Sequence, residues 1–453
     1  MNIRINVLIL CGCLVSCNSY LDAVPDRSLA ILTTLEQYEQ LINGDLYAQA
    51  PALQELGIDD YYVPFSVWQS KDIRLQNAYI WKADIYDGNS GSGVTQDWNA
   101  PYGKIYYCNV VLEGLESLSG SHESAAFREV KGHALFFRAY QHYLLQEVYG
   151  QPYRPATANM DLGIPLKYTS LPTERIFRST VAKTFASIIL DSEKALEMLP
   201  EDYQAVNKVR ASKAAVCAFL SRVYLTMQNY QQSLAYADQC LSYYVQLLDY
   251  NQLYPDYRFG YPDNQEVVFS VNASGTSGVF LNTGIFVDSL LYPLYADHDL
   301  RKQVFFLQDA TTGLPHFKSM YSGDSNPFAG LALDEVYLNR AECRARLGDE
   351  DGALADLNEL LIHRYETGYY FPLTRESAGN TLQAVLKERR KEMVVRCTRW
   401  TDLRRLNQDP ALATTLRRSL NGTDYELLPN SPRYTYPIPP KEAAISQLPQ
   451  NQR

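Results

Sequence analysis

The chain is short of the residues that build metal sites, disulfide frameworks and membrane spans. Its 453 residues include only six histidines and eight cysteines. There is no HExxH, and beyond the first 17 residues only Cys108, Cys217, Cys240, Cys343 and Cys397 remain. An odd number with no CxxC spacing excludes both a zinc module and a disulfide scaffold, although one disulfide among the five stays open. Cys217, inside AAVCAFL, reads as a buried, inert thiol. His133 and His142 are nine residues apart on one predicted helix, so they point to opposite sides. GxSxG and GxxxxGK[ST] are both missing, which removes a nucleophile elbow and a phosphate loop. Beyond the first 17 residues no apolar run approaches the roughly eighteen residues of a membrane helix. There is no basic excess either. With 51 acidic against 41 basic residues the net charge is −10, a poor match for nucleic-acid phosphate. No cofactor, metal site or catalytic group is expected.

What is present is an ordinary globular balance, 46% hydrophobic and 20% charged, with tyrosine in excess: 35 against 16 phenylalanines and 4 tryptophans. Tyrosine joins a flat apolar face to a polar tip and so suits half-exposed recognition surfaces as well as helix packing. The start, MNIRINVLILCGCLVSC, has one charge, Arg4, before the apolar run Val7–Val15. That run is too short to span a bilayer and fits a secretory signal over residues 1–16. Leu14-Val15-Ser16-Cys17 resembles a bacterial lipobox, which implies lipidation of Cys17 as the first mature residue. An ordinary signal peptide with an incidental cysteine is the alternative.

From about residue 100 the dominant period is 3.6. Val181, Phe185, Ile188, Ile189 and Leu196 share a face in a helix over 179–199, which Ser179 can cap and Pro200 follows. A long helix covers 126–149 and stops at Gly150 and Pro152. Two helical pairs follow, 211–227 with 231–243 and 335–347 with 351–363. Ala341, Gly348 and Ala353 in the second pair have the small-residue spacing of a tetratricopeptide repeat, which lets antiparallel helices pack closely. Residues 58–97 and 249–330 break the pattern, with glycine, proline and clustered aromatics. Glu266–Val271 reads as a short strand. Carboxylate pairs such as Asp59-Asp60 are expected on the surface. Eight basic residues between Lys387 and Arg405 alternate with Glu388, Glu392 and Asp402, a pattern of internal ion pairing rather than a nucleic-acid patch.

Separated motifs, in order, resemble the SusD/RagB family of Bacteroidetes outer-membrane lipoproteins. Cys17-Asn18-Ser19-Tyr20-Leu21-Asp22 through Pro25 is similar to its C-x-x-Y-L-D-x-x-P opening. Trp98, Tyr102, Ile105 and Asn109 match its W-x₃-Y-x₂-I-x₃-N. Gly132 through Ala139 resembles G-E-A-x-F-L-R-A, with Tyr149-Gly150 after it, and Arg178–Val181 through Pro200 fits the next helix. Glu388–Glu392 followed by Arg399-Trp400-Thr401-Asp402-Leu403 resembles E-R-R-x-E…R-W-x-D-L. The tail, Tyr436-Pro437-Ile438-Pro439 with Gln450-Asn451, is also typical. Departures are His133 for glutamate, Arg396-Cys397 for Glu-Gly, and Ala332 for the arginine before an L-A-E triplet.

The resemblance implies a mainly α fold: a tetratricopeptide-like superhelix carrying an irregular, loop-rich ligand-binding subdomain with a few short strands. It places an N-terminal region at 17–205 and a C-terminal region at 206–453, intertwined as one unit, with the loop-rich insert at about 249–330. It also implies a non-enzymatic outer-membrane lipoprotein, facing outward, that captures a glycan for a SusC-like TonB-dependent β-barrel transporter. An oligopeptide ligand, or a structural lid without tight binding, is the alternative. Sugars need rings for their C–H faces and polar groups for their hydroxyls. Trp68, Asp72, Arg74, Trp81, Tyr86, Tyr257 and Tyr261 are the candidates, expected to converge on one exposed aromatic patch. Trp98 is a poorer one, since its motif position reads as structural.

Overall fold

The computed structural model describes residues 32–45, 49–87, 96–118, 124–201, 208–253, 257, 259, 264–273, 284–318, 321–323 and 326–453. The expected signal, Cys17 and Tyr261 lie outside the described residues.

The first helices are α1 (Leu35–Asp45), α2 (Phe65–Trp68), α3 (Ile73–Tyr79), α4 (Gln96–Ser117) and α5 (Ala125–Tyr149). They are followed by α6 (Val181–Met198), α7 (Lys213–Thr226) and α8 (Tyr230–Tyr243). The remaining helices are α9 (Arg301–Phe305), α10 (Leu333–Leu347), α11 (Glu350–Ile362), α12 (Arg375–Ala378), α13 (Thr381–Glu392), α14 (Arg399–Leu406) and α15 (Pro440–Ile445). Described strands pair only two by two. The strands are β1 (Gln49–Ala50), β2 (Tyr61–Tyr62), β3 (Leu162–Pro165), β4 (Arg178–Thr180), β5 (Val267–Phe269), β6 (Asn272–Ala273), β7 (Phe286–Val287), β8 (Phe306–Gln308), β9 (Pro315–Phe317), β10 (Leu331–Ala332), β11 (Leu416–Leu420) and β12 (Thr423–Leu427), with β2 antiparallel to β7 and β11 antiparallel to β12. The expected strand at 266–271 is present as Val267–Phe269, paired with Leu331–Ala332.

Local chemistry explains the helix ends. Ser124 Oγ accepts the Phe127 N–H at the start of α5. Thr180, not Ser179, caps α6 by accepting the Lys183 N–H, because the chain is still extended at Arg178–Thr180. The two expected helical hairpins are α7–α8 and α10–α11, and they pack on each other through α8 and α10. Gly348 ends α10 in the left-handed conformation (φ +89°), and Asp349 then caps α11. Small residues let the pairs close. Ala341 and Ala353 are wholly buried, and Ser233 Oγ donates to the Ser221 carbonyl at 2.8 Å.

Two cores result. One lies between the helices and is centred on Phe136, Tyr140, Phe219 and Phe269. The other joins residues far apart in the chain, among them Leu53, Trp81 and Trp98, then Tyr250, Phe259 and Phe328, then Val394, Trp400 and Leu448. The family-type motif residues are staples between them. Tyr102 donates to Pro165 O at 2.8 Å, and Asn109 donates to Lys167 O and Thr169 O. Arg138 grips Asp191 with two bonds at 2.8 and 2.9 Å and donates to Asn109 Oδ1. Trp98 is buried edge-on to Tyr149.

The basic run is internal. Only Lys387 of its eight members is exposed. Arg405 makes a bidentate pair with Glu342 at 2.6 and 2.7 Å and also reaches Asp402. Burial pushes the Asp402 carboxyl up, but Arg389 and Arg405 more than reverse this and hold it at about 2. The five later cysteines are free thiols. Burial pushes Cys108, Cys217 and Cys343 up to about 12, so they are inert as nucleophiles. Among the described residues no helix is long and apolar enough to cross a membrane.

Candidate functional site

The two irregular segments do meet. Tyr61 and Tyr62 pair with Val287 and Phe286, the Asp288 N–H donates to Asp60 O at 2.9 Å, and the Tyr62 and Phe286 rings lie 5.5 Å apart. They meet through buried groups more than through an exposed patch. Trp81, expected at the surface, is 1% exposed. Its backbone turns through φ +55°, its indole N–H donates to Gly57 O, and the Arg418 guanidinium covers its ring at 4.4 Å. Tyr86 is equally buried, with its hydroxyl donating to Pro437 O. Tyr257 is buried edge-on against Phe259. These three are core aromatics, which corrects the expectation of a single surface patch built on them.

The remaining candidates stand on or beside α2 and α3. Trp68 is half-buried, its indole N–H donating to Gln76 O at 3.0 Å. Its ring tilts against Phe65 at 5.7 Å, and Phe65 and Ile73 are each 36% exposed. Asp72 is exposed and caps α3 by accepting the Arg74 N–H. Arg74 is turned inward onto Asp97 at 2.8 Å, so its charge is already matched. Among the described residues of 58–97 the ring pair Phe65–Trp68 is therefore the aromatic surface displayed, with Gln69 and Asp72 exposed beside it.

Two residues before Phe65 the chain lines a cleft of about 240 Å³. It is lined by Asp59, Tyr61, Tyr62, Val63, Tyr79, Trp81 and Asp288 together with Leu416–Ser419 of β11. The floor is rigid. Arg418 stacks 3.6 Å over the Tyr79 ring and donates to the carbonyls of Leu56, Ile58 and Tyr79. Asp59-Asp60, expected on the surface, is drawn into the protein. Arg399 holds Asp59 in a bidentate pair at 2.7 and 2.8 Å, and Asp60 is fully buried against Arg390 and the Val395 N–H. Asp288 Oδ1 accepts the N–H groups of Leu290 and Leu291, while Oδ2 takes no hydrogen bond among the described residues. Partial burial and Asp288 raise the Tyr62 phenol.

Sequence reasoning missed β11 and Asp288. The readable signal for β11 is Asn421-Gly422, the preferred tight-hairpin pair, flanked by the alternation Leu416, Arg418, Leu420. Among the described residues no group of three or more His, Cys, Asp or Glu side chains is placed to hold a metal ion. His133 and His142 are buried in α5, and burial with Arg138 nearby holds His142 down to about 3.

Comparison with known proteins agrees with the ordered motifs. A family model described as "Starch-binding associating with outer membrane" matches residues 19–225, and one described as "SusD family" matches residues 311–451. The chain belongs to the SusD family. Its fold is that of a SusD superfamily protein from Bacteroides thetaiotaomicron, with 22% identity, 93% of this chain and 100% of that one covered, and a TM-score of 0.76. A SusD-like carbohydrate binding protein from Bacteroides vulgatus superposes with TM-score 0.71 at 21% identity, over 92% of this chain and 97% of that one. Surface glycan-binding protein A from Bacteroides uniformis gives 0.70 at 17% identity, over 92% and 100%. No curated protein sequence matches the chain.

Proposed function

We propose that this protein is a non-enzymatic, lipid-anchored receptor on the outer face of the outer membrane. It captures a glycan nutrient and passes it to a SusC-like TonB-dependent β-barrel. Membership of a family described as starch-binding supports the ligand class. The observation that carries the reading in this chain is the displayed Phe65–Trp68 pair beside a rigid-floored cleft. Two rings tilted by 32° offer a slightly curved apolar surface for successive sugar faces. Gln69 and Asp72 at its edge supply acceptors and donors for hydroxyls. Of the wider candidate set Trp68 and Asp72 carry the reading, since Arg74, Trp81, Tyr86 and Tyr257 are committed to ion pairing or packing.

The anchor reading rests on Cys17 in its lipobox-like setting. Several acyl chains, at roughly 0.8 kcal/mol per buried CH₂, hold a protein on a membrane almost permanently. Calorimetric titration against a glycan panel tests ligand capture: heat with wild type that is lost in Trp68→Ala supports it, and no heat with any glycan ends it. Gentle membrane extraction tests the partner, which should copurify as a large β-barrel, and Cys17→Ala should free the protein from membranes.

A further inference from the structure

The cleft has a property that ring stacking does not use. In the hairpin, Leu420 pairs with Thr423, Arg418 with Tyr425 and Leu416 with Leu427. Across a two-residue turn these are the hydrogen-bonded pairs, so the N–H and C=O groups of Arg417 and Ser419 point away from β12. None of those four groups has a hydrogen-bond partner among the described residues. Both residues are exposed, and both line the cleft. They are two residues apart, about 7 Å along the strand, and repeat one donor and one acceptor.

Exposed edges of this kind are normally blunted by a bulge, a proline or a covering element. β11 runs in unbroken register with no proline. Its outward charge, Arg417, is turned back onto Glu426 of the same hairpin at 2.8 Å. The Arg418 side chain is occupied by three carbonyls of the floor. Among the described residues the cleft thus presents a backbone edge without partners and the Asp288 Oδ2, which takes no hydrogen bond. That combination matches an extended polypeptide: its backbone completes the ladder, and a basic side chain answers Asp288.

We infer that the outer edge of β11 is a strand-addition site for an extended, lysine- or arginine-bearing oligopeptide, seated in the cleft between β11 and Tyr61–Tyr62. The site is separate from the Phe65–Trp68 surface and does not depend on the glycan reading.

The test uses fluorescently labelled hexapeptides with lysine fixed at the third position and the others randomised, measured by anisotropy on the full chain. Wild type binds them, and methylating alternate peptide nitrogens weakens binding by about tenfold, the loss of one or two hydrogen bonds. Ser419→Pro removes an N–H that the hairpin does not use and should cause a similar loss, whereas Ser419→Ala stays within about twofold. Asp288→Asn weakens the lysine peptides but not norleucine counterparts. No binding of any hexapeptide, or equal binding by the N-methylated series, overturns the inference. So does displacement of the peptides by a glycan that still fills the cleft in Ser419→Pro. Glycan titration of Ser419→Pro reports separately on the aromatic surface. If that variant fails to fold, the N-methylated series on wild type decides.

Discussion

Arg396 and Asp334 form a buried pair, with Nη1 2.7 Å from Oδ2 and Nη2 3.3 Å from Oδ1. Arg396 stands at a departure from the family-like pattern, arginine in place of glutamate, and Asp334 lies two residues after another, Ala332. The Arg396 guanidinium also lies 3.7 Å over the Tyr321 ring. The arginine at this departure thus has a buried acidic partner.

Breaking this pair from one side leaves a charge with no partner in a dry interior. Asp334→Ala should cost about 3–5 kcal/mol in urea unfolding. Adding Arg396→Met to it should recover most of the loss. An additive double variant would show that the two residues do not act together.

Trp68 and Trp81 should separate binding from stability. Trp81→Ala removes a wholly buried ring and is expected to cost about 3–5 kcal/mol. Trp68→Ala should cost about 1 kcal/mol, in line with its partial exposure, while weakening glycan binding by about tenfold or more. Thermal melts and titrations of the same two variants give both readings.

Glu55 should make the protein less stable as pH rises. It is fully buried beside Asp60, and burial first, then Asp60, pushes its carboxyl up to about 8 from 4.5. Between those values the folded chain holds a proton that the unfolded chain has released, so stability falls with increasing pH. Glu55→Gln should match wild type below pH 4.5 and exceed it near pH 8, measured by denaturant midpoints.

His142 gives the opposite slope at lower pH. Among the described residues neither ring nitrogen has a hydrogen-bond partner, and burial followed by Arg138 lowers the imidazole from 6.5 to about 3. Its contribution is complete above pH 6.5 and declines as pH falls toward 3, because only the unfolded chain takes up the proton. His142→Gln should unfold less steeply with acid over that interval.

The helices were legible because each one buries a stripe at a period of 3.6, and their caps lie in adjacent residues. The observed hairpins Lys213–Tyr243 and Leu333–Ile362 follow that pattern within two residues at each end. The basic run was legible as ion pairs because its acids are interleaved. The site was much less so. In irregular chain no period separates a displayed ring from a buried one: Trp68 and Trp81 have similar neighbours in sequence, yet only Trp81 is folded under by a left-handed turn and capped by Arg418. That cap comes from 337 residues away in the chain, beyond the reach of any local pattern.

The Arg399 clamp on Asp59 bridges a sequence separation of 340 residues. Contacts between neighbouring helices form early because little chain must be closed, whereas this one waits for almost the entire polypeptide. Synthesised from its N-terminus, the chain can coil its repeats long before it possesses a catching surface. A product that stops short of Arg399 will therefore keep much of the scaffold while lacking the receptor, so premature termination costs recognition before it costs architecture.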